Sequence, residues 1–155
     1  MHRALLASAT VLLLAGCSTM YDRDRYSEVR PYSMTRVGEE IDYELLDEVM
    51  FPTDSTALSD RALRAIGEIA AEARHHPGAA IVVDGYTDTV GTPEHNLELS
   101  RARALTVADV LVHEGVPRGR ITIHGYGETH LAVPTPNQVK ERRNRRVVIR
   151  LLPPL

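Results

Sequence analysis

Three regimes of hydrophobic patterning succeed one another along the chain. Ala4–Ala15 is an almost wholly apolar run with Arg3 ahead of it, too short to span a bilayer and laid out as an export segment. Residues 18–44 follow without a sustained apolar period: charges of both signs (Asp22, Arg23, Asp24, Arg25, Glu28, Arg30) alternate with Tyr21, Tyr26 and Tyr32. This predicts a polar tether, whose aromatic spacing also suits an arm packed on the domain. From Leu45 the pattern becomes regular. Leu45, Val49 and Phe51 recur at even spacing, interrupted by Asp47 and stopped by Pro52, and predict a strand. Ser59 and Asp60 open a helix with Leu63, Ile66, Ile69, Ala70 and Ala73 on one face, closed by Pro77 and Gly78. Ala79–Val83 reads as a buried strand. Thr92, Pro93 and Glu94 supply an N-cap, a first-turn proline and a favourable charge for a second helix, which Gly115 and Pro117 end. Its expected core stripe is Leu97, Ala104, Leu105, Ala108, Leu111 and Val112. Ile121 and Ile123, then Val147, Ile149 and Leu151, predict two further strands separated by an irregular or short helical segment. The order β-α-β-α-β-(α)-β gives an α+β fold, a mixed four-stranded sheet packed by helices.

Composition then bounds the class. The 155 residues are 43% hydrophobic and 25% charged, an ordinary globular balance with room for one domain. One cysteine cannot make an internal disulfide, and the seven histidines show no zinc-ligand spacing, so neither a metal nor another cofactor is expected. Gly125-Tyr126-Gly127 lacks the third glycine of a dinucleotide loop and suits a turn. The net charge of -3 is too balanced for a nucleic-acid binder, and the basic run Lys140–Arg146 reads as a solvated rim that attracts an anionic polymer. Leu14-Ala15-Gly16-Cys17 resembles the lipobox of bacterial lipoprotein precursors. That resemblance implies cleavage after residue 16 and lipidation of Cys17, and Ser18 after the cysteine favours the outer membrane. Several acyl chains make such anchoring effectively permanent. The expected organisation is a signal peptide over 1–16, a lipidated N-terminus and polar tether over 17–44, and one domain over 45–155.

The chemistry concentrates in Gly85–Asn96 and the helix that follows. The loop leaving a buried strand for a helix N-terminus is the usual ligand position in such sheets, and Asp88 lies in it. Asn96 and Arg103 are seven residues apart, on nearly one helix face, with Leu99 between them. A carboxylate and a guanidinium across one cleft suit a ligand bearing an ammonium and a carboxylate on the same carbon. Spacing alone fits a direct Asp88–Arg103 bridge equally well.

The ordered phrases Gly85-Tyr86-Thr87-Asp88, Gly91-Thr92-Pro93-Glu94, Asn96, Leu99-Ser100, Arg103-Ala104, Gly125-Tyr126-Gly127-Glu128 and Asn144-Arg145-Arg146-Val147 resemble the OmpA-like C-terminal domain family, over about residues 45–151. The resemblance implies non-covalent binding to peptidoglycan through the free end of the diaminopimelate side chain. Asp88 and Arg103 are then the ligand's acid and base, Asn96 and Leu99 line the pocket, Thr87 positions Asp88, and the loop holding Asp54 adds contacts. For Asn144 and Arg145 a structural tie and a ligand contact weigh equally. Tyr86 stands where His or Asn is frequent, and Pro52-Thr53 departs from the usual residues before Asp54.

These features point to an outer-membrane lipoprotein, domain in the periplasm, stapling membrane to wall and performing no catalysis. A component of a larger envelope machine, with other envelope proteins as partners, would use the domain as the same anchor. A wall-cleaving enzyme would need a zinc site, an activated nucleophile or a carboxylate pair, and the sequence assembles none of these.

Overall fold

The computed structural model describes residues 31–50 and 58–154. The export segment, Cys17, most of the expected tether, Phe51–Thr53 and Asp54 lie outside the described residues.

Among the described residues, five strands form one mixed sheet: β1 (Ser33–Val37), β2 (Glu40–Leu46), β3 (Ala80–Tyr86), β4 (Ile121–Gly125) and β5 (Arg146–Leu152), in the order β1-β2-β5-β3-β4. Only β3 and β4 are parallel; β5 runs antiparallel to both its neighbours, β2 and β3. The fifth strand corrects the expected count of four, and residues 33–46 belong to the sheet rather than to a free tether. Ile41, Tyr43 and Leu45 are buried and alternate with half-exposed Asp42 and Glu44, as in a strand with one wet face. The strand expected from Leu45 to Phe51 is also different. Leu45 lies near the end of β2, and Asp47–Met50 makes one helical turn, α1.

Two long helices cover one face. In α2 (Asp60–His75) Ser59 caps the first turn, its Oγ accepting from Ala62 N at 3.0 Å, and Ala62, Ala65, Ile66, Ile69, Ala70 and Ala73 are buried. In α3 (Pro93–His113) Thr92 does the same for His95 N at 3.2 Å. Between helices and sheet, Ile66, Ile69, Val107 and Leu111 meet Ile41, Leu45, Ile81, Val83, Val147 and Ile149 in one core. The segment between β4 and β5 carries turns and no helix.

The buried stripe of α3 is Asn96, Ser100, Ala104, Val107, Ala108 and Leu111, whereas Leu97 and Leu105, expected inside, are 51% and 45% exposed. Sheet glycines explain the difference. Gly85 and Gly125 are paired across β3 and β4, and a Cβ on Gly85 would sit 2.0 Å from Ser100 O while one on Gly125 would sit 2.7 Å from Arg101 N. The first half of α3 rests on bare backbone, so only small or hydrogen-bonding side chains fit beneath it. Leu63 of α2, also expected in the core, is 42% exposed.

Candidate functional site

Strand ends assemble the site. Arg146, the first residue of β5, is paired with Leu46 on one side and Tyr86 on the other, so Asp47, Arg145 and Thr87 leave three adjacent strands at the same sheet edge. The backbone records this closeness: Asp47 N donates to Arg145 O at 3.0 Å, and Thr87 N donates to Gly127 O at 2.9 Å in the loop after β4. The N-terminal half of α3 closes the other wall. The result is an open cleft of about 310 Å³ lined by Thr87, Asp88, Val90, His95, Asn96, Leu99, Arg103, Lys140 and Arg145.

Asp88 is buried and heavily held. Its Oδ1 accepts from Val90 N at 3.2 Å, while Oδ2 accepts from Glu141 N at 3.3 Å and Arg145 Nη1 at 2.7 Å. Arg103 crosses to another carboxylate, its Nη2 donating to Asp47 Oδ2 at 3.0 Å; Arg145 Nε lies 3.9 Å from the same oxygen. Among the described residues no bond joins Asp88 to Arg103, so the direct bridge that spacing allowed does not form. Burial pushes the Asp47 carboxyl above the ordinary carboxylate range, with Arg103 and then Arg145 pulling it back. The same burial lowers the Arg103 guanidinium, opposed by Asp47. Asp47 Oδ1 is buried and has no hydrogen-bond partner, as is the Thr87 hydroxyl.

Two loops brace Asp88. Thr89 Oγ1 donates to Pro136 O at 2.7 Å and accepts from Val139 N at 3.1 Å, and Gln138 Nε2 and Oε1 pair with Gly91 O and N at 2.8 and 3.2 Å. Asn96 is buried beneath them, its Nδ2 donating to Asp88 O at 3.3 Å and Glu128 Oε2 at 2.6 Å.

The OmpA family model matches residues 50–145, more than half of the chain and all of this loop system. The chain belongs to the OmpA family. It is 40% identical over 107 residues to an outer membrane protein of Gluconacetobacter diazotrophicus, covering 65% of this chain and 28% of that protein. It is 32% identical over 121 residues to the probable lipoprotein YiaD of Escherichia coli, covering 78% and 55% respectively. It therefore spans between about a quarter and a little over half the length of these two relatives. The crystal structure of the peptidoglycan-associated lipoprotein from Burkholderia pseudomallei superposes with a TM-score of 0.57 at 28% identity, over 67% of this chain and 86% of that one.

Within this OmpA-family domain, Thr87, Asp88, Asn96, Leu99, Arg103 and Arg145 line one cleft. Asn144 does not: it is fully buried and clips Val133, donating from Nδ2 to Val133 O and accepting from Val133 N, both at 2.8 Å. Arg145, by contrast, both ties Asp88 and faces the cleft. Asp88 is positioned by Val90, Glu141 and Arg145 rather than by the Thr87 hydroxyl. Asp47 is the participant that sequence reasoning missed, and its signal is a charge breaking an otherwise apolar alternation. His95 and Lys140 also line the cleft, as neither spacing nor resemblance indicated.

Proposed function

We propose that the protein binds peptidoglycan non-covalently, taking the free end of a diaminopimelate side chain into the cleft. The Asp88 carboxylate accepts from the ligand's ammonium and the Arg103 guanidinium donates to its carboxylate, with Leu99 against the methylenes that carry this tip. One observation carries this reading: the two charges are kept from neutralising each other. Asp88 is held by Arg145 at 2.7 Å and Arg103 by Asp47 at 3.0 Å, and both residues line the cleft. Asp88 has oxygen lone pairs to accept from the ammonium, and the planar fork of a guanidinium matches a carboxylate.

The names of its relatives support an envelope location. With Cys17 lipidated and the polar residues after it as a tether, the domain would work in the periplasm and join the outer membrane to the wall. The reading assigns no bond-making or bond-breaking step to the protein. It is tested by co-sedimentation of the purified chain with diaminopimelate-type sacculi. Arg103→Ala and Asp88→Asn should each weaken retention at least about 30-fold, equivalent to about 2 kcal/mol, with unfolding midpoints recorded for both. Full retention by folded Arg103→Ala protein would overturn the assignment.

A further inference from the structure

We infer that Lys140 forms a second anion subsite on the lip of the cleft, which takes a carboxylate carried by the ligand beyond its zwitterionic tip. This rests on the wall-binding reading and extends it to the rest of the ligand. Lys140 lines the cleft, yet no carboxylate pairs with it among the described residues. The acid beside it, Glu141, is engaged by Arg143 through both oxygens, at 3.2 Å each, and accepts from Arg143 N at 3.0 Å. The other cations of the cleft have partners: Arg103 has Asp47, and Arg145 has Asp88. Lys140 is the described lining cation left without one.

Its placement is fixed by the backbone on either side. Val139 N donates to Thr89 Oγ1 at 3.1 Å, and Glu141 N donates to Asp88 Oδ2 at 3.3 Å. The residues flanking Lys140 are thus tied to the loop that presents Asp88, and the lysine lines the same cleft as that acid. A zwitterionic tip is neutral and satisfies Asp88 and Arg103 without engaging Lys140. A second carboxylate on the same ligand would engage it, and diaminopimelate carries one at its far end when that end's nitrogen is acylated and no residue follows it in the peptide.

Calorimetry on the full chain in detergent separates the possibilities. The probes are diaminopimelate acetylated on one nitrogen, with the carboxylate at the acetylated end either free or amidated. The free acid should bind the parent protein about threefold more tightly, the scale of a solvent-accessible ion pair, and the advantage should vanish in high salt. Lys140→Gln should bind both probes equally, with the affinity the parent shows for the amide. Equal binding of the two probes by the parent, or a preference that survives in Lys140→Gln, overturns the second subsite while leaving the tip site standing. Failure of both probes to bind the parent at all overturns the wall-binding reading and the subsite with it.

Discussion

Asp47 places one carboxylate oxygen between two guanidiniums and leaves the other buried without a partner. Part-buried ion pairs of this kind contribute little net stability, so the value of Asp47 lies in where it holds Arg103 and Arg145. Tyr86 shows a second residue-scale effect, on the opposite face of the sheet. Its ring stacks on Tyr126 at 5.3 Å and lies under the Arg146 guanidinium at 3.9 Å. Burial, then the charge of Asp84, raises its phenol above the ordinary 10.0, against Arg146 and Arg150. A raised phenol means that the folded state favours the neutral ring. The resulting stability is complete below the ordinary value and is lost as pH rises through the folded one. Tyrosinate absorbance should therefore show a late-titrating component that is lost in Tyr86→Phe, and a titration unchanged by that substitution would contradict this. Asp88 and Arg103 are legible in the sequence because one strand–loop–helix unit carries both. Asp47 and the Asp88–Arg145 contact are not, since residues 47, 88, 103 and 145 meet only once the strand order is known.

At the scale of elements, α3 packs with its backbone close against β3 and β4. Gly85→Ala would drive a methyl group into the Ser100 carbonyl, and backbone on both sides leaves no flexible atom to yield. Overpacking of this kind should cost at least about 2 kcal/mol, read as a lowered urea midpoint, and an unchanged midpoint would contradict the close approach. The termini of α3 are plain in the sequence through Thr92, Pro93 and Gly115, and so is part of its buried face, since Ala104, Ala108 and Leu111 are buried as expected. In its first half the glycine floor selects Asn96 and Ser100 in place of Leu97, and Leu105 stays exposed. The β2 alternation of Ile41, Tyr43 and Leu45 was present among charged neighbours that resemble a tether. The edge strand β1 is exposed at every position, so burial imprinted no pattern on it.

For the whole molecule, insertion of β5 between β2 and β3 is the decisive feature. Long-range register, and not any local motif, brings Arg145 beside both Asp47 and Asp88 and turns a loop acid and a helix base into two separately anchored charges. The α+β class and the helix-on-sheet layering follow from local periodicity, whereas no local pattern carries this strand order. The central claim is that the two anchored charges together grip an ammonium and a carboxylate on one carbon. The most direct measurement is calorimetric titration of the purified protein with two stem peptides that differ only in carrying diaminopimelate or lysine. The diaminopimelate peptide should bind at least about tenfold more tightly, a difference of about 1.4 kcal/mol, because lysine lacks the carboxylate that Arg103 would grip. Equal affinity for the two peptides would contradict the account.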